Sequence, residues 1–331
     1  MKNINKPPYI IAEIGANHNG SISRARKLII NAKKASCDAV KFQSWDENLN
    51  SSKEYEKNPL MLKQYLKYKL SFRDLSKLSK FAKKKNIEFG TAVFNEKQLN
   101  EALKINCDFI KIASMDANNY PFLKKVLKIK KNLIISTGFT NHSELQKLKS
   151  LIIKSKKKNI TILHCISLYP PKKYSLINLN NIVGLKKQFK LNSGFSDHTV
   201  RTEVLYAAAA LGAKVIEKHF TINKKDKGWD HAISADLKEM KNIVKKCKFI
   251  SSTLGSYKKK ITPEELKKSK IMRRSIAIIK NIKKGEKFTK LNLDLRRPGS
   301  GMPPIKIFKI YGKKAKKNLN SGEMLKPTDI Y

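Results

Sequence analysis

The feature that most constrains the fold of this chain is a repetition. Eight short apolar runs, at 9–13, 39–42, 87–91, 109–112, 133–136, 160–164, 192–196 and 214–217, are each followed by a longer segment. Those segments carry apolar residues at spacings of three and four, as in Ile22, Ala25, Leu28, Ile29, Ala32 and Ala35, the pattern of an amphipathic helix. Val204, Leu205, Ala208 and Leu211 repeat it, and Gly212 closes it as a helix stop. Eight β-then-α units in a row are what a (β/α)8 TIM barrel requires. An open doubly wound sheet is the alternative, but no glycine-rich dinucleotide loop follows the first run.

Two stretches break the repeat. Residues 44–70 read as a long, polar, aromatic-bearing loop, of the kind that forms lids or surface excursions. Residues 256–271 read as a charged linker. Beyond it, short apolar runs alternate with turns at Gly285-Glu286 and Pro298-Gly299-Ser300-Gly301. The expected organisation is a barrel over 1–255, the linker, and a small β-rich domain over 272–331. No uncharged apolar run approaches the roughly 18 residues that cross a bilayer. The segment 1–11 lacks the small-residue cleavage site of a signal peptide. Cys37, Cys107, Cys165 and Cys247 are far apart with no C-x-x-C pair. They are expected to be free thiols, small core residues in a reducing cytoplasm.

Charge enters next. Lysine and arginine number 71 against 26 aspartates and glutamates, a balance of +45, and only eight of the 71 are arginine. Nucleic-acid readers favour arginine for bidentate contacts and cluster their bases. Here lysine is spread over every helical segment. A solvated surface is therefore expected, with no nucleic-acid or membrane partner. A basic polyanion-binding protein on a catalytically retired barrel is the competing reading.

The runs end in polar residues. In a (β/α)8 barrel the C-terminal ends of the strands form the active-site face. Glu13 ends the first run and leads into Gly15-Ala16-Asn17-His18-Asn19-Gly20. Lys41, Gln43 and Thr91 follow on the next two, then Lys111, Ser114 and Asp116, then Ser136-Thr137-Gly138. The later ends carry His164, Ser167 and Tyr169, then Ser196, Asp197 and His198, then Glu217, Lys218 and His219. So many polar ends on one rim are hard to explain as packing, because buried polar groups are costly without partners. Lys41 and Lys111 interrupt apolar strands, where a bound anion would compensate them. Hydroxyls at a strand-to-helix turn suit the same anion. His198 and His219 end adjacent strands and suit a divalent metal that polarises a carbonyl. Glu13 supplies an acid–base group. The residues alone imply carbon–carbon bond formation or cleavage on a phosphorylated or carboxylated metabolite.

The stretches that hold these residues resemble the sialic acid synthase family. They include Ile11-Ala12-Glu13-Ile14-Gly15-Ala16-Asn17-His18-Asn19-Gly20, Ala39-Val40-Lys41-Phe42-Gln43, Ile110-Lys111-Ile112-Ala113-Ser114 and Leu163-His164-Cys165. Further along come Gly194-Phe195-Ser196-Asp197-His198-Thr199, Ile216-Glu217-Lys218-His219-Phe220-Thr221, Gly228-Trp229-Asp230-His231 and Arg297-Pro298-Gly299-Ser300-Gly301. The set runs in family order from residue 9 to about 305. The 272–331 part resembles the antifreeze-like SAF (β-clip) domain of family members.

The resemblance implies condensation of phosphoenolpyruvate with an N-acetylated mannose-type sugar, giving a nine-carbon sialic-type acid and phosphate. It implies that His198 and His219 bind a divalent metal, manganese being expected. Lys41, Thr91, Lys111, Ser114, Ser136, Ser167 and Ser196 would hold phosphoenolpyruvate. Glu13 would position or deprotonate the water that attacks its C2; with Lys41 and Lys111 it forms the expected catalytic set. Gln43, Asp116, Tyr169 and Asp230 would contact the sugar, and Arg297 would reach its N-acetyl group across a domain-swapped homodimer. Three departures fall on the sugar side. Thr91-Ala92-Val93-Phe94 stands for a usual Thr-Pro-Phe, Ser114-Met115-Asp116 for Ser-Gly-Glu, and Ser167-Leu168-Tyr169-Pro170 for Asn-Thr-Glu-Tyr-Pro. The acceptor is therefore left open between N-acetylmannosamine and a 6-deoxy diacetamido sugar leading to legionaminic or pseudaminic acid. Another phosphoenolpyruvate-condensing deoxy-sugar acid synthase is the alternative within the same chemistry.

Overall fold

The structure, a computed structural model, describes residues 6–45 and 49–331. Parts of the 1–11 and 44–70 segments therefore lie outside the described residues. The chain forms two compact units, Met1–Gly255 and Ser256–Tyr331.

In the first unit eight parallel strands close a barrel in sequence order. They are β1 Tyr9–Glu13, β2 Ala39–Gln43, β3 Glu88–Ala92, β4 Phe109–Ile112, β5 Asn132–Ser136, β6 Ile160–Cys165, β7 Asn192–Asp197 and β8 Val215–His219. Helices α1 Ile22–Lys34, α2 Ser52–Lys57, α3 Pro59–Tyr68, α4 Phe72–Lys84, α5 Glu96–Lys104, α6 Tyr120–Val126, α7 His142–Ser155, α8 Asn180–Phe189, α9 Glu203–Ala210 and α10 Leu237–Thr253 connect and follow them. In α1 the apolar stripe buries Ala25, Leu28, Ile29 and Ala32, and Ser21 caps its start by accepting from Arg24 N. Burying Leu28 or Ile29 contributes about 1.5–3 kcal/mol each.

Most of the core lies between strands and helices. Inside the barrel a separate layer of Ile11, Ala39, Phe109, Ile134, Leu163 and Val215 plugs the lower half. Two glycines give that layer its room. A Cβ on Gly90 would sit 2.3 Å from the Phe109 ring, and one on Gly194 would sit 2.2 Å from the Val215 carbonyl oxygen. Strand register then sets the catalytic level, with Glu13 beside both Lys41 and His219 and Ser196 beside Glu217.

The segment expected as a bare loop, 44–70, contains α2 and α3. Ser51 and Asn58 cap them, and Pro59 opens α3. The segment expected as a linker contains α11, Pro263–Met272, started by a reciprocal Thr262–Glu265 capping box. In the second unit β9, Ser275–Ile278, pairs antiparallel with β10, Leu293–Arg296. Together with Phe288, Ile307 and Leu325 they build a core of their own. Among the described residues no helix is long and apolar enough to cross a membrane. All four cysteines are free.

Candidate active site

The upper half of the barrel holds a cavity of about 360 Å³. Glu13, Lys41, Gln43, Lys111, Ser114, Ser136, Ser167, Tyr169, Ser196, His198, His219 and Asp230 all line it. A larger groove of about 1040 Å³ opens against the N-terminal strand ends, beside Tyr9 and Asp108, and none of those residues lines it.

At the base sits a buried ionic cluster. Lys111 Nζ donates to both oxygens of Glu217, at 2.9 and 3.2 Å. Ser196 Oγ donates to Glu217 Oε1 at 2.8 Å. Lys41 Nζ lies 3.6 Å from Glu217 Oε2 and pairs more closely with Glu13 Oε2. Gln43 Nε2 donates to Glu13 Oε1 at 3.1 Å. The two lysines expected to await an anion are thus already compensated by carboxylates. Burial alone would raise the Glu217 pKa, but Lys111 and Lys41 overcome it and hold it well below the carboxylate range. Glu13 goes the other way: burial pushes it up, to about 7, against the pull of Lys41. Burial also lowers Lys111, partly offset by Glu217.

Above the cluster, on the β4–β6 side, small hydroxyls converge. Gly138 N donates to Ser114 Oγ at 3.1 Å. A Cβ there would meet Ser167 Oγ at 2.2 Å and Ser114 Oγ at 2.8 Å, so only glycine lets both serines approach. Ser136 Oγ is buried without a hydrogen-bond partner among the described residues. A bound oxyanion would satisfy Ser136 and accept from the Ser114 and Ser167 hydroxyls.

The two imidazoles meet on the β7–β8 side, ring centroids 5.5 Å apart, and the Tyr169 ring lies 4.0 Å from that of His198. His198 Nδ1 lies 2.9 Å from Ile166 O, which leaves Nε2 for a ligand. His219 Nδ1 is buried with no hydrogen-bond partner, 3.6 Å from Asp230 Oδ2. Burial and the neighbouring His198 lower the His219 pKa, favouring the neutral ring that ligates metal. Among the described residues no group of three or more His, Cys, Asp or Glu could hold an ion. These two nitrogens nonetheless fit a cation whose remaining positions are left to substrate and water.

Three expectations need correction. The Thr91 hydroxyl sits 2.9 Å from Ser44 Oγ and does not line the cavity. Strand alternation gives the lining place to Ala92. Asp116 accepts from Asn119 Nδ2 at 3.3 Å, and Met115 lines the cavity in its stead. Cys165 is no simple core residue: it lines the cavity, and its sulfur lies 3.7 Å from His198 Nδ1. Arg297 is exposed in the second unit.

Other residues on the polar strand ends turn out to brace the rim. Asn17 Nδ2 donates to Phe220 O at 3.0 Å and Ser234 Oγ at 2.8 Å. His231 lies 2.7 Å from Thr221 Oγ1 and 3.1 Å from Asn19 Oδ1. Lys218 donates to Asp197 at 2.8 Å, both fully buried. His164 lies against Ile177 O. Glu217 is the principal site residue absent from the expected set; its ending of an apolar strand between Ile216 and Lys218 was the available signal.

A model of the NeuB family matches residues 28–259. The chain belongs to the NeuB family. A model of the SAF domain matches residues 273–330. Among NeuB relatives, the N,N'-diacetyllegionaminic acid synthase of Campylobacter jejuni is 36% identical, covering 97% of this chain and 99% of that protein. The pseudaminic acid synthase of the same species is 34% identical, covering 99% and 98%. The crystal structure of N-acetylneuraminic acid synthetase from Leptospira borgpetersenii, in complex with citrate, superposes with a TM-score of 0.74 at 32% identity, covering 80% and 90%. Like these NeuB relatives the chain is a sialic-type acid synthase, a transferase that forms a carbon–carbon bond.

Proposed function

We propose that this barrel condenses phosphoenolpyruvate with an N-acetylated mannose-type aldose, releasing phosphate and giving a nine-carbon 2-keto acid. The observation that carries this reading is the pairing, in one cavity, of a hydroxyl-lined anion pocket with two facing imidazoles.

Ser114, held by the Gly138 N–H, takes the phosphate together with Ser136 and Ser167. Lys41, Lys111 and Ser196 take the carboxylate side, sharing their donors with Glu217. This holds C3 of the enol toward the acceptor aldehyde. C3 bonds to the aldehyde carbon, whose oxygen takes up a proton. Water adds at C2, the C2–O bond to phosphate breaks, and the keto acid remains. Glu13 orients that water and accepts its proton, the role its raised pKa suits near neutrality. Asp230, Gln43 and Tyr169 face the acceptor. His198 and His219 would hold the divalent cation, expected to be manganese, which supplies Lewis-acid polarisation of the acceptor carbonyl.

Free thiols suit a cytoplasmic setting. The exposed Arg297 suits recognition of an acetamido oxygen in a partner's barrel, within a domain-swapped homodimer. The test is phosphate release from phosphoenolpyruvate. It should require an N-acetyl aldose, vanish after exhaustive chelation, and return with manganese. Full activity after chelation would remove the metal from the reading.

A further inference from the structure

The cavity has two unlike ends. Its base carries the cations of its lining, Lys41 and Lys111, and both are engaged with Glu13 and Glu217. Its rim on the β1–β2–β8 side is aromatic. Trp45 follows β2 and Trp229 follows β8, with ring centroids 5.2 Å apart. Tyr65 and Tyr68 of α3 pack on Trp229, each at 5.3 Å. The one polar atom of the Trp229 ring is spent, since Nε1 donates to Gln64 Oε1 at 2.6 Å. What the indole offers the cavity is an apolar face.

Behind that face lies a second space. A depression of about 400 Å³ is lined by Lys63, Lys67 and Lys227, and Trp229 lines it as well as the cavity. Trp229 therefore stands between the cavity, whose lining lysines among the described residues are both engaged by carboxylates, and a lysine-lined pocket suited to a phosphate.

We propose that Trp229 is a specificity-determining residue. With Trp45 it closes the acceptor end of the cavity, so the site takes a neutral N-acylated aldose and rejects one phosphorylated at the end remote from its aldehyde. A phosphate dianion there would trade part of its water for an indole face, with no cationic partner among the described lining residues, which is unfavourable. The lysines that would compensate it line the neighbouring depression and not the cavity. This inference rests on the condensing reaction proposed above.

The test is kcat/KM, at saturating phosphoenolpyruvate, for N-acetylmannosamine, N-acetylmannosamine 6-phosphate and a 2,4-diacetamido-2,4,6-trideoxy aldose. The wild-type protein should disfavour the 6-phosphate against its parent by roughly a hundredfold or more. Trp229→Ala should raise the KM of neutral acceptors about tenfold, leave that of phosphoenolpyruvate within about twofold, and cut the discrimination at least about tenfold. Trp229→Phe should restore most of it. Equal or better use of the 6-phosphate by the wild type overturns the proposal. So does an unchanged ratio in Trp229→Ala, or, if that variant melts early, an unchanged ratio in Trp229→Leu.

Trp45 and Trp229 are the only two tryptophans, so intrinsic fluorescence reads the same site without turnover. In the Glu13→Gln variant, which binds without turning over, and with phosphoenolpyruvate present, the neutral aldose should shift the emission at concentrations at least about tenfold below those the 6-phosphate needs, and the reverse order overturns the proposal. Absence of acceptor-dependent phosphate release with every sugar would sink the condensing reaction instead, while the titration, repeated in Trp229→Leu with Trp45 as the reporter, still decides the role of Trp229.

Discussion

At the scale of single residues, the ionic cluster changes what a lysine substitution should do. A lysine whose charge waits only for substrate could be neutralised at little cost to folding. Lys111 instead holds Glu217, which is 4% exposed. Lys111→Met should weaken phosphoenolpyruvate binding and also destabilise the barrel by about 3 kcal/mol, since it strips one partner from a buried pair. Lys41 at 3.6 Å keeps that figure at the low end. The Lys111→Met/Glu217→Gln double variant should regain most of the stability but none of the substrate affinity. Denaturant titration beside substrate titration separates the two effects, and a fully stable single variant would show that the pair contributes nothing to folding.

Glu13 gives a second prediction. Burial raises its pKa to about 7, and the carboxylate is the form that accepts the water's proton. The rate should therefore rise with pH through about 7 and fall on the acid side. Profiles of kcat/KM for phosphoenolpyruvate measured with metal saturating should show this limb, and Glu13→Gln should lose activity across the range.

Most of the site was legible in the sequence because a strand end fixes which rim a residue joins. Which way the side chain turns was not. Thr91 and Ala92 are neighbours on one strand, and period-two alternation gives the cavity to the second. Lys111 and Glu217 are 106 positions apart, so their pairing exists only in the closed barrel.

At the scale of elements, most of the eight strands stand out as short apolar runs. The least legible was β7, because Asn192-Ser193-Gly194 dilutes its apolar character. The structure supplies the reason: at Gly194 the β8 backbone approaches too closely for any side chain. Gly194→Ala should destabilise by about 3 kcal/mol, the upper part of the usual overpacking range, because the atom in the way is a backbone carbonyl. Thermal unfolding checks this, and a shift under one degree would mean that the strands separate without cost. The helices inside 44–70 and 256–271 were missed for a different reason. Their caps at Ser51, Asn58 and Thr262 are ordinary start signals, but short helices with much of their surface exposed carry little apolar periodicity. The 44–70 excursion pays its way in aromatic rings, since Tyr65 and Tyr68 are what hold Trp229 at the cavity rim.

At the scale of the molecule, little of the balance of +45 stands inside the cavity itself. Among the described residues the lysines lining the cavity are the two that the carboxylates engage, and the remaining charge suits a solvated surface. This favours an enzyme acting on small anions over a polyanion-binding barrel. The most direct test of that account follows carbon and phosphate together. Phosphoenolpyruvate labelled at C3 is incubated with manganese and a neutral N-acetyl aldose, and the products are read by mass and by carbon NMR. The account predicts a nine-carbon 2-keto acid carrying the label at its C3, with one phosphate released for each labelled molecule. Labelled pyruvate with phosphate released whether or not the aldose is present would contradict it.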